Sequence, residues 1–178
     1  MNQSGNKRFQ ETECRIKHAF TELLAVKGFY EITVQDICIK AGISRPSFYA
    51  HYEDINDMMM RMEQEKGMQI QRLLISKERL SMASFEAYFA FLKENKAFYL
   101  AYLATAGNIA NQLMERFIDA QERPETDEVR YAMVFFMAGI RAAAYRWLSQ
   151  DCRTQVHVLA QMAYAQYQSL MNEYSFPA

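Results

Sequence analysis

The side chains with the most chemistry to offer lie in one short stretch, RPSFYAHY, where Arg45, Ser47, Tyr49 and His51 bring a guanidinium, a hydroxyl, a phenol and an imidazole close together. They do not form a catalytic set. No GxSxG, HExxH, CxxC, phosphate-binding glycine loop or dinucleotide fingerprint occurs in the chain, so catalysis would have to rest on scattered residues and no enzyme is expected. A cation and several hydrogen-bonding groups within seven residues suit contact with DNA, provided that a helix carries them into a groove.

The surrounding residues predict that helix. In TVQDICIKAGISRPSFYAHY, residues 33–52, Val34, Ile37, Cys38 and Ala41 fall at i, i+3, i+4 and i+7, one apolar face of about two helical turns. Thr33 has the hydroxyl of an N-cap, Gly42 can take the left-handed conformation that stops a helix, and Ser44 can cap the next one. Pro46 suits a first turn, where no amide proton is needed. Phe48, Tyr49 and Tyr52 share one side, so the second helix can dock on the first with Arg45, Ser47, Tyr49 and His51 partly available. This is the layout of a helix-turn-helix, whose second helix enters the major groove.

With 178 residues, 51% of them hydrophobic, the chain can bury a core in one large domain or two small ones. A net charge of −1 argues against a wholly basic nucleic-acid coat, but the charge is unevenly placed. Residues 1–52 hold seven Lys/Arg against five acids, net +2, leaving −3 for the rest, which is compatible with a DNA-facing end. Cys14, Cys38 and Cys152 are odd in number and widely spaced, so no disulfide framework is expected and a reducing cytoplasm is the default. Cys38, on the apolar face, reads as a structural thiol. Neither a signal peptide nor a membrane helix is evident. His51 and Asp54 stand at i and i+3 without a third ligand, so neither metal nor other cofactor is expected.

Few prolines and glycines, periods near 3.6 and no alternating runs predict an all-α chain of about nine helices. The first should run from Lys7 or Thr12 to Lys27, and three helices ending near Tyr52 make a head, residues 1–53. Asp54 caps a fourth helix that opens the body, residues 54–178. Ser81 or Ser84 starts a fifth, KENKAFYLAYLATAGN reads as a turn and a short sixth, and a seventh spans about 109–121. Thr126 or Asp127 caps the next, to about Ser149, with Met133, Met137, Ile140, Ala144, Trp147 and Leu148 in a stripe. The last begins near Arg153 and carries Val156, Leu159, Ala160, Ala163, Tyr167, Leu170, Met171 and Tyr174. These two stripes form either a homodimer interface, two helices from each chain, or an ordinary core.

The head resembles the tetracycline-repressor (TetR) family of bacterial transcription regulators over residues 12–62. The resemblance lies in RIKHAFTELLAVKGF, ITVQDICIKAGIS and SFYAHYEDINDMM, and combines Gly28, Thr33, Val34, Ile37, Ala41, Gly42, Ser44, Phe48, Tyr49 and Tyr52. It implies an all-α homodimer whose heads read half-sites of a double-stranded DNA operator in successive major grooves. It also implies bodies that bind a small effector and thereby weaken DNA binding. DNA contact then falls to Thr33, Ser44, Arg45, Ser47, Tyr49, His51 and Tyr52. Thr33 would offer its hydroxyl and helix N-terminal amides to a phosphate, Tyr49 and Tyr52 their hydroxyls to phosphates, and Arg45 and Ser47 would meet base edges. His51 would do either job.

Two positions depart from the family. Pro46 replaces a frequent Gly or small residue, and Ile55, beside Glu53 and Asp54, replaces a phosphate-anchoring Lys. Binding would then lean on Lys7, Arg8 and Lys40. In the body, Tyr88, Phe89, Tyr99, Tyr102, Phe117, Tyr131 and Phe135 would line a pocket for an apolar or aromatic effector, with Arg141 or Asn108 at its polar end; a filled core is the other reading of each. The leading expectation is a ligand-responsive repressor. The alternative is a helical ligand- or partner-binding protein that has lost operator binding, which Ile55 and the acidic pair motivate.

Overall fold

The computed structural model describes residues 3–74, 80–104 and 126–174, and every regular element among them is helical. Eight α-helices follow in order: α1 Gln3–Leu24, α2 Val34–Ala41, α3 Arg45–Tyr49, α4 Ile55–Leu74, α5 Met82–Glu94, α6 Lys96–Ala104, α7 Asp127–Ser149 and α8 Val156–Glu173. The helix expected at 109–121, with Phe117, Gly107 and Asn108, and the loop at 123–125 lie outside the described residues. No described helix is long and apolar enough to cross a membrane. The chain divides into two compact units, Met1–Gly67 and Met68–Ala178, with the division falling inside α4.

In the first unit α1 packs on α2 and α2 on α3. Ile16, Phe20, Ile37, Phe48 and Met58 have no exposed surface, and each contributes about 1.5–3 kcal/mol by leaving water. The caps are those the sequence predicts. The Thr33 hydroxyl accepts from the Asp36 amide at 3.1 Å, and Ser44 Oγ accepts from the Ser47 amide at 3.3 Å. Asp54 accepts from the Asp57 amide at 2.8 Å and so closes the N-terminus of α4. Gly42 ends α2 at φ +62°, where a side chain would be strained.

Two boundaries differ from expectation. α1 begins at Gln3, ahead of both Lys7 and Thr12, and it ends at Leu24, four residues before Gly28. Gly28 itself is extended, at φ −63°, and begins a 3-10 turn, Phe29–Glu31, its amide held by the Glu31 carboxylate at 3.0 Å.

The second unit is an aromatic-rich helical layer in which α5 packs chiefly on α8, and α6 on α7. Phe85 meets Tyr167 at 5.8 Å between ring centroids, Phe89 meets the Trp147 ring edge-on at 5.8 Å, and Trp147 Nε1 donates to the Thr154 carbonyl at 2.8 Å. Ala144, Trp147 and Leu148 of α7, and Ala160, Ala163, Tyr167 and Leu170 of α8, are buried inside this unit. Much of the apolar stripe on the two last helices is therefore intramolecular core. Their surplus lies elsewhere, at exposed Tyr131, Phe135, Tyr145, Val158 and Met162.

Candidate nucleic-acid interface

The recognition segment is short because its residues allow only that. Ser44 caps α3, Pro46 sits in the first turn, and the helix ends after five residues at Tyr49. Phe48 is its one buried side chain, fully enclosed, so the remaining positions are free to face outward. Arg45 is exposed, Ser47 is half-buried, and Tyr49 is half-exposed with its ring edge-on to Phe48 at 5.6 Å. The Ser44 hydroxyl donates to Ser47 Oγ at 3.2 Å, which leaves the Ser47 proton available to an acceptor.

Cations sharpen the assignment. Lys7 pairs with Glu11 at 3.9 Å, Lys27 with Asp36 at 3.1 Å, Lys40 with Glu22 at 3.0 Å and Arg61 with Asp57 at 2.9 Å. Lys17 bridges Glu13 at 3.0 Å and Glu65 at 2.5 Å. Between residues 7 and 61, Arg8 and Arg45 are the Lys/Arg with neither an ion pair nor a side-chain hydrogen bond among the described residues. One opens the recognition helix. The other, on α1, lines an open groove with Phe9, Thr12, Ser47, Ala50 and His51.

Two expected contacts are corrected. Thr33 does not hold a free hydroxyl and amide for phosphate: both donate to Asp36 Oδ2, at 2.8 Å and 2.9 Å. The Thr33 amide and hydroxyl, then Lys27, hold that carboxyl below its usual range, so the α2 N-terminus already carries an anion. Tyr52 is 2% exposed and donates its hydroxyl to Glu13 at 3.3 Å, with the Arg61 guanidinium 5.6 Å from its ring centroid. Burial first, and Glu13 second, push its pKa well up. Tyr52 thus braces the head from within. Burial works against ionised Glu13, but Lys17, aided by the Tyr52 hydroxyl, keeps its carboxyl below the usual value.

The sequence reading missed Arg15. From α1 its Nε donates to the Ala41 carbonyl at 3.0 Å, and its Nη2 to the carbonyls of Ala41 and Gly42 at 2.5 and 2.6 Å. It clamps the turn that sets α2 against α3. Its acceptors are backbone atoms 26 and 27 residues away, so spacing along the chain carried no signal. Of the two departures from the family, Pro46 sits exposed in the first turn of α3 and Ile55 is half-buried at the start of α4, where its neighbour Asp54 has a structural task as a cap.

In the second unit the expected effector residues do not share one environment. Phe89, Tyr99 and Tyr102 are buried in aromatic packing, Tyr99 and Tyr102 6.2 Å apart. Tyr88 lies 5.2 Å from Phe89, and burial pushes its hydroxyl up to about 12. Arg141 is half-buried. Tyr131 and Phe135 correct the expectation: they are 65% and 78% exposed on the outer surface of α7, a position for a surface contact and not for a cavity wall.

The sequence profile of the tetR family of bacterial regulatory proteins matches residues 16–62. The fold resembles a TetR transcriptional regulator from Streptococcus agalactiae, with 18% identity and a TM-score of 0.62, over 90% of this chain and 95% of the other. It also resembles the dihydroxyacetone kinase operon activator DhaS, with 16% identity and a TM-score of 0.58, over 94% of this chain and 98% of that one. The head at residues 16–62 is that of the tetR family of bacterial regulatory proteins, and the chain has the fold of a TetR-type DNA-binding regulator.

Proposed function

We propose that the chain is a dimeric, ligand-responsive repressor that binds a near-palindromic operator and is released from it by a small apolar or aromatic effector. The observation that carries the reading is the exposed polar face of α3, where Arg45, Ser47 and Tyr49 stand outward while Phe48 alone anchors the helix. Arg45, with no acidic partner among the described residues, supplies base recognition at a guanine, worth about 1–3 kcal/mol of discrimination. Tyr49 donates to a phosphate. Thr33 and Tyr52 act indirectly, one capping α2 and the other bracing the head.

Dimerisation uses the outer faces of α7 and α8. Tyr131, Phe135, Val158 and Met162 expose apolar surface there, and a second copy is its natural cover in a family of paired heads. Effector binding would shift the head spacing away from two half-sites about one helical turn apart, a coupling of about 1–3 kcal/mol.

Selection of bound sequences from a random DNA pool, followed by anisotropy titrations at several salt concentrations, tests the reading. A near-palindrome should emerge. Arg45→Ala should relax preference at one position of each half-site, while Tyr49→Phe weakens all sequences alike. A protein that prefers no sequence over random DNA is instead the helical ligand- or partner-binding protein. A reporter fused to the selected site separates repression from activation, the role named for one protein of similar fold.

A further inference from the structure

Among the described residues, two buried side-chain atoms have no hydrogen-bond partner, Glu63 Oε2 and His51 Nδ1. Glu63, on α4, is shifted toward its protonated form: burial pushes its carboxyl up to about 7. His51 is shifted the other way. Burial lowers its pKa, with Lys17 adding to that effect and Glu13 opposing it, so the ring is neutral at physiological pH.

A neutral imidazole carries a single N–H. An enclosed donor without an acceptor is rarer and costlier than an enclosed lone pair, so the proton belongs on Nε2. The ring is also held in place. Phe9 of α1 stacks on it with centroids 3.8 Å apart and planes 26° from parallel, and the ring of Tyr52, the next residue in the chain, stands 6.2 Å away. Phe9 is itself 46% exposed, so the stacked pair lies at the surface of the head. The other charged group beside this pair is Arg8, which lines the same groove and carries no ion pair among the described residues.

We propose that His51 meets DNA as a neutral Nε2–H donor, and that Phe9, outside the helix-turn-helix, is the positioning residue that fixes the imidazole in that attitude. Charge and direction are thereby divided in one groove. Arg8 supplies the cation for the phosphate backbone, and His51 supplies an oriented hydrogen bond without counterion release. The proposal rests on the DNA-binding reading above.

Its first test needs no DNA. Long-range 1H–15N spectra of the free full-length protein should show His51 as the Nε2–H tautomer, titrating below the ordinary histidine value, and Phe9→Leu should raise that value and mix the tautomers. An Nδ1–H tautomer, or a His51 that is charged at neutral pH, overturns the proposal. The second test uses the DNA sequence selected by the wild-type protein. His51→Gln, whose amide can mimic Nε2–H, should bind within about threefold of wild type with an unchanged salt slope. His51→Asn and Phe9→Leu should each weaken binding about 3- to 10-fold, the worth of one hydrogen bond. Arg8→Gln should flatten the slope by about 0.9. A slope flattened by His51→Gln, or wild-type affinity in Phe9→Leu, overturns the proposal. A wild-type protein that selects no sequence overturns the DNA reading as well, and the spectra of the free protein tell the two failures apart.

Discussion

Two helix ends in this chain close with the same hydrogen bonds and different residues. After α2, the Gly42 amide donates to the Ile39 carbonyl at 3.2 Å and the Ile43 amide to Cys38 at 3.0 Å. After α7, the Asp151 amide donates to Leu148 at 3.2 Å and the Cys152 amide to Trp147 at 3.0 Å. Both are Schellman turns. The first uses glycine at φ +62°, as the left-handed conformation favours; the second holds Asp151 and Cys152 there, at φ 58° and 52°. The difference follows from what each turn holds. Arg15 crowds the first, where a Cβ at Gly42 would lie 3.2 Å from Nη2, tighter than ordinary contact. The second keeps Asp151 because its carboxylate reaches Lys96 of α6 at 2.6 Å. One turn is fixed by a side chain from outside, the other by its own.

The comparison is broken most directly at Arg15. Arg15→Ala should lose roughly 1.5–3 kcal/mol, the range for charge-assisted hydrogen bonds, read in urea denaturation by far-UV circular dichroism. A loss within error would mean that the turn holds itself. Gly42→Ala should lose about 1–2 kcal/mol from the left-handed backbone alone, so a neutral result would erase the distinction between the two turns.

Smaller effects sharpen it. Thr33→Ala should lose about 1 kcal/mol as a lost N-cap, and Thr126→Ala less. The Thr126 bond is longer, 3.4 Å against 3.1 Å, and α7 has 23 residues to α2's eight. Trp147, the single tryptophan, reports the second turn by fluorescence, since its own carbonyl accepts from Cys152. Asp151→Asn should give the smallest change, a slightly lower melting temperature at pH 7. The hydrogen bond and charge of Lys96 lower the Asp151 pKa in the folded state. Its contribution is therefore present above the unfolded value and lost as the pH falls through the folded one, so the gap between variant and wild type should close in acid. A gap that persists there would mean that the ion pair is not what retains aspartate.

The first turn could be read from sequence and the second could not, for one reason. Thr33, Gly42, Ser44 and Asp54 act on backbone within a few residues, so their types announce their tasks. Asp151 acts on a lysine 55 positions away. Distance hid Arg15 too, and the Phe9 stack on His51, which lies on a part of α1 that the periodicity placed at or beyond its end. In the second unit the periodicity marked much of what is buried on α7 and α8, but one apolar stripe serves equally as core or interface. Only the packing shows which members of the stripe are enclosed: Trp147 is 4% exposed, whereas Met133, Met137 and Ile140 are half-buried. Tyr52 was misjudged because a phenol suits a phosphate or a buried carboxylate equally well, and Glu13, 39 residues earlier, takes it.

The five-residue α3, held by Phe48 alone, has a consequence for how such a chain diversifies. Exposed substitutions usually change stability by no more than about 0.5 kcal/mol. Arg45 and Tyr49 can therefore drift, and with them the sequence that is read, while the scaffold stays above its folding threshold. Selection on recognition and selection on folding act on separate letters of the same short word.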